Sequence, residues 1–374
     1  MTGAGIVVAG RAQQTADLPF RPLRAAQCAS CHVEHYNEWT RSFHARSLSS
    51  DDFLRTFSRY LDSLGKQARE DPRVSMACFG CHAPLLKNAE PEIVRQVTAL
   101  VLSKDARKFD GFEVGCVACH GVGDRAFSGP IRNPQDNHFH PSKYSTSYKD
   151  ASICGDCHTT PAGIVPCSDV YTDWKKSRAA RRGTTCQNCH MPERSGVAAA
   201  GGPRRELHSH VFPGARSAAM LQKAVTLRLR AGFRKDRLEV TATVRSLVPH
   251  RVPDGCPWNS YAVLEVTVSD ETGWQFETMK RVYANFGMDQ GGKTTGVVWR
   301  IVKTSPESTA LRAEEVRAEK MQFAVEPRDG KQFTIRARMF YQYAPASQDG
   351  SGLEPGATTM AEATLTLPGK RPSH

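Results

Sequence analysis

One pentapeptide pattern, Cys-x-x-Cys-His, occurs five times: CASCH at 28–32, CFGCH at 78–82, CVACH at 116–120, CGDCH at 154–158 and CQNCH at 186–190. With twelve cysteines and thirteen histidines in 374 residues, chance supplies roughly 0.01 such pentapeptides. Five copies therefore reflect one shared chemistry. Two thiols separated by two residues can each form a thioether to one vinyl group of the same porphyrin, and the adjacent histidine then lies under the iron. The motifs imply five covalently bound haem c groups, attached through Cys28 and Cys31, Cys78 and Cys81, Cys116 and Cys119, Cys154 and Cys157, and Cys186 and Cys189. His32, His82, His120, His158 and His190 are the corresponding proximal iron ligands.

Zinc is the competing use of Cys-x-x-Cys pairs. A zinc ribbon sets its pairs about 15–20 residues apart, whereas the gaps from Cys31 to Cys78 and from Cys119 to Cys154 are far longer. The number of pairs is odd, and every pair is followed by histidine, which neither zinc nor a redox dithiol requires. Two cysteines remain, Cys167 and Cys256. Haem attachment takes place outside the cytoplasm, where thiols oxidise, so one reading joins them as a disulfide and the other leaves two inert buried thiols.

The formal net charge of +12 raises nucleic-acid binding as a class. The basic residues are scattered, however, without a long run or an aromatic-studded RNA motif. Five haems would add about ten propionate charges and nearly cancel the excess, so no nucleic-acid partner is expected. No run of about 18 apolar residues is present, and no membrane span is expected. Residues 1–24 read as an N-terminal extension without a basic–apolar–cleavage pattern, so an export signal is expected to have been removed or mis-annotated.

Apart from the five proximal ligands, the histidines are His35, His44, His138, His140, His208, His210, His250 and His374. Five distal ligands are needed if every iron carries two imidazoles. Methionine could serve and would raise a haem's potential, but the nine methionines fit better as core filler. In NPQDNHFHP, residues 133–141, at least one of His138 and His140 is expected to ligate. Their i, i+2 spacing in an extended segment would aim them at two different haems. His35 follows the first site too closely to bend back on its own iron, and His374 is terminal.

Between sites, YNEWTRSFHA at 36–45 has the frame Tyr-x-x-Trp-x-x-Ser-x-His-Ala, and the first seven positions recur in YTDWKKSRAA at 171–180, with Ala179 where His44 stood. With CHMP at 189–192 and HSHVFPG at 208–214, the chain resembles the multihaem cytochrome c family that includes the tetrahaem cytochrome of ammonia oxidisers. The resemblance spans roughly 25–290. It implies His44 as one distal ligand and His210 as another with His208 beside it; in the second copy, which lacks the ligand, Trp174 is expected to pack on a porphyrin face or edge, as buried aromatics do. Relatives also carry a Gly-His-x-x-Pro-x-Gly loop that reaches a haem from a β domain. SLVPHRVPDG at 246–255 is similar, with Pro249 in place of the first glycine, which implies His250 as a ligand.

The fold class expected is multidomain: a haem-packed, mostly α/irregular multihaem cytochrome c domain, 25–218, followed by an all-β immunoglobulin-like sandwich, 219–374. In the first, DDFLRTFSRYLDSLGKQ at 51–67 reads as a helix capped by Asp51 and Asp52 and stopped near Gly65. The porphyrins are expected to replace a conventional apolar core there. In the second, eight alternating segments read as strands, among them GVVWRIVK at 296–303. The leading functional expectation is a single-electron carrier or conduit, periplasmic or extracellular, exchanging electrons with other redox proteins. The alternatives are an oxidoreductase acting on a small nitrogen or oxygen species at one open haem, and a homo-oligomeric haem filament.

Overall fold

The computed structural model describes residues 22–123, 126–132, 139–159, 169–235, 237–254, 260–326, 331–343 and 357–369. Cys167, Cys256, His138 and His374 lie outside them, and so does the proposed disulfide.

From the start of that range to His190 the secondary structure is short helices joined by loops, with one small parallel bridge between 127–129 and 142–144. The longest helix, Asp51–Leu64, starts at Ser50, whose Oγ accepts the Phe53 N–H at 3.4 Å, and ends at Gly65 with φ +87°. Asp51 and Asp52 occupy the first turn, where their charge suits the helix dipole, so the cap itself is one residue earlier than the sequence suggests. Phe53, Phe57 and Leu61, at i, i+4 and i+8, form its buried face.

That face packs with Phe79 of the Pro72–His82 helix, with Val97 and Val101 of the Pro91–Leu102 helix, and with Phe112. The helical part therefore has a conventional apolar core around the second site, which corrects the expectation that porphyrins alone would fill it. Each of these side chains gains about 1.5–3 kcal/mol on burial, so the cluster holds the three helices against one another.

After a hairpin, Glu193–Val197 with Arg204–His208, seven long strands follow: β1 (Val225–Arg234), β2 (Arg237–Ser246), β3 (Ser260–Asp270), β4 (Gln275–Tyr283), β5 (Val316–Phe323), β6 (Gln332–Tyr343) and β7 (Thr358–Pro368). They make two antiparallel sheets, ordered β5-β2-β1 and β7-β6-β3-β4. Alternate residues of both sheets, including Val240, Val244, Leu264, Ile335 and Met339, meet in one core. GVVWRIVK departs from the expected strand. It forms a 3-10 turn at Val298–Arg300 and enters a two-residue strand, Lys303–Thr304, only at its last residue, because Ile301 turns in against Gly287 and Trp299 packs on Tyr60 of the Asp51–Leu64 helix at 5.9 Å between ring centres.

The β part meets the helical part through charge as well. Arg251 pairs with Asp173 (Nε–Oδ2 2.6 Å, Nη2–Oδ1 3.0 Å). The Glu314 carboxylate accepts the N–H groups of Arg178 (3.0 Å) and Ala179 (3.2 Å), capping the Arg178–Arg181 helix from outside. Glu314 has φ +56°, a left-handed conformation unusual for a residue with a side chain.

Candidate functional site

Each of the five motifs folds as a helical turn. Four of the histidines, His82, His120, His158 and His190, are the last residue of a helix; at the first site the His32 N–H closes on Cys28 O at 2.8 Å. A turn of α-helix brings i, i+3 and i+4 to one face, so both sulfurs and the imidazole of a motif present together by local geometry alone.

The imidazoles are prepared for metal. Four of them hold Nδ1 against a backbone carbonyl: His32 to Ala198 O (2.7 Å), His82 to Ser47 O (2.8 Å), His120 to Ser128 O (2.8 Å) and His190 to Pro213 O (2.7 Å). A carbonyl only accepts, so Nδ1 carries the proton and Nε2 keeps its lone pair for a metal. Burial pushes the pKa values of His82, His120, His158 and His190 below the usual imidazole range, so the neutral, ligating form prevails.

Second histidines face four of these five. Ring centres are 6.2 Å apart for His32 and His140, 6.2 Å for His120 and His210, 6.3 Å for His158 and His44, and 6.3 Å for His190 and His250. A metal–imidazole bond of about 2.0 Å, with about 1.1 Å more from nitrogen to ring centre, puts two rings on opposite sides of one metal about 6.2 Å apart. The residues present therefore fit haem c with two histidines per iron at four sites. Burial drives both His44 and His210 down to about 4. His210 and His250 hold their own Nδ1 against the carbonyls of His208 (2.9 Å) and Arg251 (3.0 Å).

His82 differs. Among the described residues no histidine ring faces it at that separation, and its ring stacks on Phe53 at 4.5 Å. Of the other sequence candidates, His208 faces none of the five; its Nδ1 bonds Met191 O at 2.8 Å. His35 lies edge-on to His210 at 4.7 Å. Trp174 donates from Nε1 to Thr184 O at 2.8 Å.

The motifs also neighbour one another. Thiols are in hydrogen-bonding reach between Cys28 and Cys116, Cys81 and Cys157, and Cys154 and Cys186. The first site thus adjoins the third, and the fourth adjoins both the second and the fifth. Sequence reasoning missed Ser47, Glu38, Asp173, Arg194 and Arg251. Ser47 accepts from His82 Nδ1, donates from Oγ to His82 O (2.8 Å) and accepts the Val114 N–H (3.0 Å), linking the second site to the third. Glu38 and Asp173 occupy the same position of the Tyr-x-x-Trp repeat, a signal that the sequence did carry.

Helical turns that pair two thiols with a neutral, metal-ready imidazole define the c-type haem class. Residues 27–121 match the family model described as cytochrome c554 and c-prime. The fold is shared with a penta-haem cytochrome c552 from Thermochromatium tepidum, 20% identical, over 92% of this chain and 99% of that one, with a TM-score of 0.67. Fainter similarities, to a β-glucuronidase of Bacteroides uniformis (9% identity, 39% of this chain, 14% of that one, TM-score 0.22) and to a superoxide reductase (10% identity, 39% and 89%, TM-score 0.20), carry no argument. No curated protein matches. Residues 27–121 are thus similar to the cytochrome c554 and c-prime family, and the chain as a whole has the fold of a multihaem c-type cytochrome.

Proposed function

We propose that the chain is a pentahaem single-electron carrier or conduit working in the periplasm or outside the cell, with other redox proteins as donor and acceptor. The observation that carries it is the set of four facing histidine pairs at 6.2–6.3 Å, each pairing a motif histidine with one from elsewhere in the chain. Haem c supplies one-electron exchange at its iron, and two imidazoles favour the ferric state more than a histidine–methionine pair does. In this reading His140, His44, His210 and His250 are the distal ligands opposite His32, His158, His120 and His190. The adjacency of the sites supports this reading, since the first adjoins the third and the fourth lies between the second and the fifth. We assign 25–218 to the haem domain and 219–374 to an immunoglobulin-like β domain; Leu221 already packs in the β core, which supports a seam close to 218.

The purified protein should carry five haems per chain by intact mass and pyridine haemochrome, and replacing Cys28 and Cys31 together should remove one of them. A count of four or fewer in the unaltered protein would overturn the pentahaem reading.

A second reading is favoured by His82, which among the described residues is accompanied by Phe53 rather than by a second histidine. Here the second site is the open iron of an oxidoreductase acting on a small nitrogen or oxygen species. It predicts a high-spin ferric signal of one haem in five that shifts when nitrite or cyanide is added. Five low-spin irons would leave the carrier reading alone.

A further inference from the structure

The two copies of the Tyr-x-[acid]-Trp-x-x-Ser frame make the same hydrogen bonds in two places. Trp39 Nε1 donates to Val114 O at 2.9 Å, and Trp174 Nε1 donates to Thr184 O at 2.8 Å. Val114 and Thr184 each stand two residues before the first cysteine of a site, the third and the fifth. Ser42 Oγ accepts the Ala45 N–H at 3.3 Å, and Ser177 Oγ accepts the Ala180 N–H at 3.1 Å. Each copy also follows a site whose first cysteine is in reach of the first cysteine of the site its tryptophan bonds: Cys28 with Cys116 of the third, and Cys154 with Cys186 of the fifth.

The acid beside each tryptophan turns the other way. Glu38 Oε2 accepts the His210 N–H at 2.9 Å, while Oε1 pairs with Arg194 Nε. Asp173 pairs with the Arg251 guanidinium and lies 3.4 Å from the Arg251 N–H, directly after His250. His210 faces His120 of the third site, and His250 faces His190 of the fifth. Adjacent side chains of one helix thus reach the two sides of a single site: tryptophan to the backbone entering the motif, acid to the loop carrying the opposite histidine.

We infer that Glu38 and Asp173 are positioning residues, which hold the loops of His210 and His250 so that each imidazole meets the iron of the third and fifth site respectively. The inference rests on the reading of these two histidines as distal ligands. A loop histidine held only by its own backbone samples many orientations, whereas an axial bond tolerates about 0.5 Å of misplacement. A largely buried carboxylate that is also bonded to an arginine is a strong, directional acceptor for that purpose. On the Glu38 side the arginine is itself fixed, since Arg194 Nη1 donates to Glu34 Oε2 at 2.7 Å and the Val197 N–H to Glu34 Oε1 at 3.2 Å. Gly196 leaves the room this needs; a β-carbon there would collide with the Arg194 guanidinium and the Glu34 carboxylate.

The test compares Glu38→Ala, Asp173→Ala, His210→Ala and His250→Ala in the full-length haem-loaded protein, by low-temperature EPR of the ferric state and by potentiometric titration. The histidine variants should each turn one low-spin signal high-spin, and added imidazole should restore it. Glu38→Ala should broaden, shift or partly convert the signal lost in His210→Ala and move that haem's potential, leaving the other sites unchanged. Asp173→Ala should do the same to the signal lost in His250→Ala, and Asp173→Glu should restore it. If the histidine variants lose their signals while the acid variants lower only the melting temperature, the acids are merely structural and the inference is overturned, with the ligand reading intact. If the histidine variants change no signal, the ligand reading itself fails and takes the inference with it. Should Glu38→Ala not accumulate, the fifth site decides by the same criteria.

Discussion

Single residues in the helical part carry consequences that depend on burial rather than on type. Glu113 is buried, with Oε2 accepting the Gly111 N–H at 2.8 Å. Burial is the dominant influence on it and raises its pKa above the ordinary 4.5, against the opposing pull of its backbone hydrogen bonds. A raised carboxyl pKa in the folded state means that the fold takes up a proton more readily than the unfolded chain. The associated stability is complete below pH 4.5 and is lost as pH rises through the folded value. Glu113→Gln keeps the acceptor and removes the titration. The melting temperature of the Gln variant relative to the unaltered protein should therefore rise between pH 5 and pH 8, and a difference constant across that range would show that Glu113 is not strained by its charge. The same dependence on burial explains why His44 and His210, which sequence frames single out, are neutral imidazoles near pH 7.

Among the elements, the Arg178–Arg181 helix shows how the second repeat copy was reused. In the first copy the residue after Phe43 is His44, which faces His158; in the second it is Ala179, and the backbone N–H groups there go to Glu314 of the β part. An acceptor at a helix N-terminus contributes about 1 kcal/mol. Glu314→Ala should cost about that much by thermal or denaturant unfolding, and Glu314→Gly somewhat less, because glycine relieves the φ of +56° while still losing the cap. Equal stability of all three proteins would show that the cap contributes nothing. The segment at 296–303 is the matching case among strands. Its alternation is real, but Ile301 and Trp299 are drawn to Gly287 and Tyr60, and tertiary contact overrides the local preference for a strand.

Across the whole molecule, the β part is tied to the haem-binding part by Asp173–Arg251, Glu314 and Trp299, and it contributes His250 to the fifth site's pair. Among the described residues no helix is long and apolar enough to cross a membrane. What the sequence determined by itself is everything set within one turn or one strand: the five Cys-x-x-Cys-His turns, the Asp51–Leu64 helix, and the alternating faces of strands such as β1, β2 and β5. It also exposed the repeat at 36–45 and 171–180, and through that frame His44. Only the tertiary structure decided which distant histidine faces which motif, that His82 is accompanied by Phe53, that an apolar core surrounds the second site, and that Glu38 and Asp173 bond the loops of His210 and His250. Local geometry is dictated by residues three or four apart, which a sequence displays side by side. Pairing across a site depends on how loops and two core-forming parts pack, and identical histidines at many positions carry no mark of the partner that packing will bring to them.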